Sequence, residues 1–166
     1  MNALAERGAT GFWLSPEITL DEICRIVPAS PRPVGITAFG RPRVMTSEHC
    51  ILQVADACIH DCARCRLRPR KLALKNIDGK VMPVRTDVHG RSRLYDAYPI
   101  DITPQVPQLM EAGITRFMVD GTLLDARETA RAVARVRRAI EAAQAGRKSA
   151  ARLRGATSGC MFVGIA

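Results

Sequence analysis

Apolar residues recur along this chain in two rhythms, one suited to strands and one to helices. Residues 1–7 predict the last turns of a helix closed by Gly8, and the apolar run at 12–14 predicts a buried strand behind it. Thr19 and Glu22 make a capping-box pair ahead of Ile23, Ile26 and Val27, so a short helix follows that strand. The run PASPRP stops the helix, and VGITAF, rich in β-branched residues, returns as a strand. KLALKN and KVMPVRT predict two strands joined by a turn at Asp78 and Gly79. Thr103 as N-cap, with Pro104 in the first turn, starts a helix that carries Val106, Leu109 and Met110 and closes at Gly113. TRFMVD then predicts a buried strand. The longest helix is predicted over 123–145, with Ala126, Ala130, Val133, Ile140 and Ala143 at helical spacing and Arg127, Arg131, Arg135 and Arg138 on another face. The order of elements begins inside a βα repeat, and the fold class it predicts is α/β.

At 166 residues the chain fits one domain, or a domain with a small appendage. A complete eight-fold barrel enzyme, at about 250 residues, does not fit. With 47% hydrophobic and 25% charged residues, wholesale disorder and a collagen-like fibre are both excluded. The longest apolar stretch, at 160–166, is far below the roughly 20 residues of a membrane-spanning helix. The opening MNALAERGATGF has neither a basic start with an apolar core nor a small-residue cleavage site, so a cytoplasmic location is expected.

The formal net charge is +9, concentrated in two blocks. Residues 62–75 hold six basic side chains and no acid, and 126–154 hold nine against Glu128 and Glu141. Such blocks attract polyanions such as RNA phosphates, and a solvated helix face has the same composition. Like charges four residues apart on the long helix repel, so Arg127, Arg131, Arg135 and Arg138 call for water or an anion and are the candidate nucleic-acid contacts. Neither block holds an aromatic residue, so no base-stacking platform is evident. Residues 146–155, basic and rich in small side chains, read as a linker.

Four of the six cysteines crowd into CILQVADACIHDCARC, as Cys50, Cys58, Cys62 and Cys65. Without a secretion signal, that crowding argues for a metal or cluster site over a disulfide framework. Zinc ribbons use two CxxC knuckles, whereas only Cys62 and Cys65 make such a pair here. The irregular spacing within one loop suits an iron-sulfur cluster, whose irons sit at separate corners, and zinc stays open as the alternative. Arg64, Arg66 and Arg68 would offset thiolate charge and lower thiol pKa values. His49, His60 and Asp61 flank the cysteines as further possible ligands. Cys24, on an apolar helical face, and Cys160, in the apolar tail, are expected to be small core residues.

Taken together, FGRPRVMTSEHC, the cysteines, LALKNIDGKVMPVRTDVHGRSRLYDAYPI, VPQLMEAGITRFMVDG and TSGCMFVGI resemble the C-terminal half of peptidase family U-32, the collagenase-like peptidases. Gly40, Arg41, Met45, Ser47, Cys50, Leu74, Lys75, Pro83, Asp87, Arg91, Leu94, Tyr95, Leu109, Gly113 and Ile114 fall on the family's pattern. The resemblance implies a barrel-type α/β protein whose cysteines hold a [4Fe-4S] cluster. Members act in oxygen-independent hydroxylation of tRNA or ribosomal RNA bases and of ubiquinone precursors, and others were described as collagen-degrading proteases. Where many relatives place a last cluster cysteine downstream, this chain has Asp101, a further possible ligand.

The expected organisation is a last βα unit of a family-type barrel over 1–42, a cysteine-cluster and hairpin region over 43–100, a helix-strand-helix over 101–145, and a basic linker with an apolar tail over 146–166. Relative to the family, the barrel is truncated, and the missing part is expected from a separate barrel-containing chain or a homo-oligomer. The function expected is an iron-sulfur module or remnant of a hydroxylase acting on RNA or a quinone precursor. The alternatives are a collagenase-like peptidase and a non-catalytic, metal-stabilised binding module. The chain carries no GxSxG or HExxH, and Ser47, Glu48 and His49 are merely chain neighbours.

Overall fold

The computed structural model describes residues 1–55 and 58–163. The chain folds as two compact units, Met1–Gly40 with Tyr98–Ala166, and Arg41–Ala97. Parallel and antiparallel strands both occur, so the fold is mixed α/β. Among the described residues the strands form two four-stranded sheets and no closed barrel.

The first unit starts with α1 (Asn2–Glu6) and the short β1 (Phe12–Trp13), followed by α2 (Leu20–Ile26) and β2 (Val34–Gly40). The capping box that opens α2 is present: Glu22 N–H donates to Thr19 Oγ1 at 3.3 Å and Thr19 N–H to Glu22 Oε2 at 2.8 Å. Strand β2 is central. Its near-continuous apolar run is buried on both faces, as expected of a strand with parallel neighbours. β8 (Ile114–Val119) runs parallel along one edge of β2, while β1 and the two-residue β7 (Ile100–Asp101) share the other. Between β7 and β8 lie a 3-10 turn (Thr103–Gln105) and α4 (Val106–Glu111). α5 (Ala126–Gln144) follows, opened by a second capping box between Asp125 and Glu128. Ile23, Val34, Ile36, Ala38, Leu109, Ile114, Val136 and Met161 are core residues of this unit.

Several expectations are corrected here. The strand predicted at 12–14 is a peripheral one with Trp13 exposed, and β8 is buried only at Ile114, with Phe117 and Val119 half-buried and Thr115, Arg116 and Met118 exposed. Thr103 is not an N-cap; its hydroxyl donates to Asp101 Oδ1 at 2.7 Å, and the Pro104 turn is 3-10 before it becomes α-helical. α5 packs through Ala132, Val136 and Ala139, so Ala126, Ala130 and Val133 point to solvent. Cys24 is exposed: α2 buries Ile23 and Val27, one turn apart, and position 24 lies about 100° round the helix from Ile23. Cys160 is half-buried.

The basic segment is not a loose linker. Leu153 N–H donates to Asp101 Oδ2 at 2.8 Å, Arg152 Nε to the Asp101 carbonyl at 3.1 Å, and Thr157 N–H to the Pro99 carbonyl at 2.9 Å. Beyond it, Met161 is 4% exposed inside the core, and its carbonyl accepts from Leu20 N–H at 2.9 Å.

The second unit is an antiparallel sheet with an irregular cysteine-bearing loop. β3 (Arg43–Ser47), β4 (Leu72–Lys75), β5 (Val81–Thr86) and β6 (Ser92–Tyr95) lie in the order β3-β6-β5-β4. The predicted β4–β5 hairpin is present, with its turn at Asp78 and Gly79. Arg41 ties the first residue of the unit to its last: its guanidinium donates to the Asp96 carbonyl at 2.8 Å and to that of Ala97. Among the described residues, no helix is long and apolar enough to cross a membrane.

Candidate functional site

The cysteine loop leaves β3 and is fixed at its start by two anchors. Ile51 N–H donates to the buried Ser92 hydroxyl on β6 at 2.9 Å, and Leu52, the first residue of α3 (Leu52–Ala55), is 3% exposed. These contacts set the position of Cys50 against the sheet. Cys58, Cys62 and Cys65 lie on the returning stretch, which polar contacts shape in place of regular structure. Asp61 Oδ1 accepts from the N–H groups of Ala63 and Arg64, both at 3.1 Å, and Arg64 Nε pairs with Asp61 Oδ2 at 2.6 Å. The Arg64 hydrogen bonds hold the Asp61 carboxyl below the ordinary aspartate range. The Arg68 guanidinium donates to the Cys62 carbonyl, and His60 N–H donates to Cys58 Sγ at 3.4 Å. Thus Arg64 is engaged by a carboxylate and Arg68 by the backbone.

A third piece is the turn between β5 and β6. Asp87 Oδ1 accepts from His89 N–H at 2.9 Å and from Arg91 N–H at 3.1 Å; Arg91 Nε and Arg93 Nη2 pair with Oδ2 at 3.1 and 3.3 Å. Desolvation pushes the Asp87 carboxyl upward, but these hydrogen bonds and the Arg91 charge outweigh it and leave it lowered. The turn closes through Gly90 at φ +81°, a conformation glycine adopts without penalty. A Cβ at Gly90 would stand 3.1 Å from Cys62 Sγ and 3.8 Å from Cys50 Cβ. The missing side chain therefore lets this turn close on two cysteines. Gly90 carried no signal at the level of sequence beyond its place in a turn.

Cys50, Cys58, Cys62 and Cys65 all line one cavity of about 630 Å³, with His60, Asp61, Arg64 and Arg66 also on its wall. None of the four is in a disulfide. His49 is exposed and lies outside this lining, its N–H donating to Ser47 Oγ at 3.1 Å. Asp101 belongs to the other unit, where it is fully buried and held by Thr103, Leu153 and Arg135. Among the described residues no three His, Cys, Asp or Glu side chains converge as closely as a single metal ion requires.

The four arginines predicted to contact nucleic acid do not act alike. Arg127, Arg131 and Arg138 are exposed on α5. Arg135 is withdrawn from that face: its guanidinium pairs with Asp101 Oδ2 at 2.7 Å and also donates to the Ala151 carbonyl.

A family model described as Peptidase family U32 matches residues 1–159, nearly the whole chain. No match was found among the curated proteins or among the solved structures.

Proposed function

Because the chain belongs to Peptidase family U32, we propose that Cys50, Cys58, Cys62 and Cys65 hold a [4Fe-4S] cluster and that the protein serves as an iron-sulfur module in oxygen-independent hydroxylation of RNA or a quinone precursor. The observation that carries this reading is the gathering of all four clustered cysteines around one cavity of about 630 Å³. Four thiolates are the donor set a cube requires. A lone tetrahedral zinc, with Zn–S bonds of about 2.3 Å, would draw its sulfurs to within roughly 3.8 Å of one another. Thiols spread around a wider cavity suit four irons at separate corners better.

When bound, such a cluster supplies one-electron transfer. The chain's own contribution is to hold and screen the thiolates. Arg66 on the cavity wall offsets their negative charge, Arg64 being paired with Asp61, and Gly90 keeps space beside Cys62 and Cys50. In the other unit, parallel pairing of β1, β2 and β8 with intervening helices supports its reading as βα units of a barrel-type fold. The exposed Arg127, Arg131 and Arg138 favour RNA over a neutral quinone precursor as the substrate class. Proteolysis has less support, since His49 meets Ser47 Oγ through its backbone N–H and offers no imidazole base in that contact.

The functional test is genetic. In a strain lacking this chain, mass spectrometry of RNA nucleosides and quinone intermediates is expected to show loss of one hydroxylated species, restored by the wild-type gene but not by Cys62→Ser. Unchanged profiles of both classes would contradict the proposal.

A further inference from the structure

A second cavity, of about 390 Å³, lies within the first unit between the C-terminal half of α5 and the segment that follows it. Its wall carries Arg135, Arg138, Arg147 and Lys148, with Thr103 and three alanines, and no acidic residue. The local sequence explains why these charges converge. α5 ends in a Schellman turn: Gly146 takes φ +64°, its N–H donates to the Ala143 carbonyl at 3.0 Å, and Arg147 N–H donates to that of Ala142 at 2.8 Å. That reversal folds Arg147 and Lys148 back beside Arg138, Ala139 and Ala142. Further on, Ala151 is fastened by Arg135, and Leu153 by Asp101. The wall is therefore anchored at both ends before any ligand arrives.

Its charge is unbalanced. Arg135 is neutralised by Asp101, whereas the side chains of Arg138, Arg147 and Lys148 have no hydrogen-bond or ion-pair partner among the described residues. The partial negative charge of the helix end opposes an anion, but the carbonyls of Glu141, Ala142 and Ala143 are already taken by N–H groups, and three full charges outweigh it. The lining alanines leave room that longer side chains would fill. Between Lys148 and Ala150, the Ser149 hydroxyl is buried without a partner.

We propose that this cavity binds a phosphoryl group through Arg138, Arg147 and Lys148, either a backbone phosphate of single-stranded RNA or a free phosphate ester. Two guanidinium groups and an ammonium on a concave wall match three phosphoryl oxygens, and guanidinium binds them bidentately. Its lining residues all belong to the first unit, and phosphoryl binding there needs no metal.

The test is binding of the full-length chain, with and without reconstitution by iron and sulfide, to a labelled 20-nucleotide RNA and, separately, to inorganic phosphate at low salt. Arg138→Gln with Arg147→Gln is expected to weaken binding by about tenfold or more, the scale of losing one or two charge-assisted contacts. Arg7→Gln with Arg25→Gln removes the same charge from exposed positions of the first unit that do not line the cavity, and is expected to change affinity less than about twofold, a screened, longer-range effect. Saturable binding of phosphate that competes with RNA identifies the free ester as sufficient, and binding of RNA alone identifies the strand. Equal losses in the two double variants, or no binding of either probe, would overturn the proposal. Either result leaves the iron content of the protein, and hence the cluster reading, to be judged separately.

Discussion

Gly90 on the β5–β6 turn faces the sulfur of Cys62 at a distance that leaves no comfortable space for a methyl group: a Cβ there would lie 3.1 Å from Sγ. Gly79, on the neighbouring hairpin, has nearly the same backbone conformation, φ +80° against +81°, but its Cβ would meet only the flexible Lys75 side chain at 3.6 Å. The pair separates backbone strain from crowding of the thiol. Both Gly→Ala changes are expected to cost about 1–2 kcal/mol in chemical denaturation, from the left-handed conformation alone. Only Gly90→Ala is expected to lower the iron retained per chain. Equal iron in the two variants would remove Gly90 from the site.

Cysteine replacement gives a second contrast. Cys62 lines the cavity, while Cys24 is exposed on α2 in the other unit. Cys62→Ser is expected to abolish the broad visible absorbance of anaerobically reconstituted protein, and Cys24→Ser to leave it intact. Loss of colour in both would mean that the ligand set is wrongly drawn.

Asp101 predicts a pH dependence in the other unit. Burial pushes its carboxyl upward, yet hydrogen bonds from Thr103, Leu153 and Arg135 prevail and hold it below the ordinary value. A carboxyl lowered in the folded state adds stability above its unfolded value of about 3.9, and that stability is lost as pH falls through the lower folded value. Asp101→Ala also leaves the Arg135 charge, only 20% exposed, without its partner. The variant is expected to lose about 3 kcal/mol near neutral pH. The gap from wild type should shrink below about pH 4, where the unfolded carboxyl begins to protonate. Denaturant titrations at several pH values check this; a gap independent of pH would show that the carboxylate charge contributes nothing.

What the sequence made legible was local. The capping box at Thr19, the β4–β5 turn and the crowding of the cysteines all depend on residues a few positions apart, and they reappear in the structure. Harder to see were consequences of contacts far along the chain. Arg135 and Asp101 are thirty-four positions apart, so nothing in the α5 pattern revealed that one of four arginines was already paired. Likewise 146–155 has a linker's composition but is fixed to Asp101 through Arg152 and Leu153, by contacts that only the fold creates. The helix face was misread because Ala132, Val136 and Ala139 are small or β-branched residues with little periodic signal against the surrounding alanines.

The C-terminal segment offers a direct check of that correction. Met161 is 4% exposed among the core residues of the first unit. Met161→Ala is expected to cost about 2 kcal/mol, the lower range for truncating a buried methionine. A change within about 0.5 kcal/mol, typical of surface substitutions, would return this segment to the status of a tail.

The cluster assignment meets its most direct test in the iron, acid-labile sulfide and zinc content of the full-length chain purified without oxygen, read together with its Mössbauer spectrum. About four irons and four sulfides per chain, with a spectrum of thiolate-ligated cubane iron that disappears in Cys62→Ser, is the expected result. One zinc per chain with neither iron nor sulfide, before and after reconstitution, would contradict it.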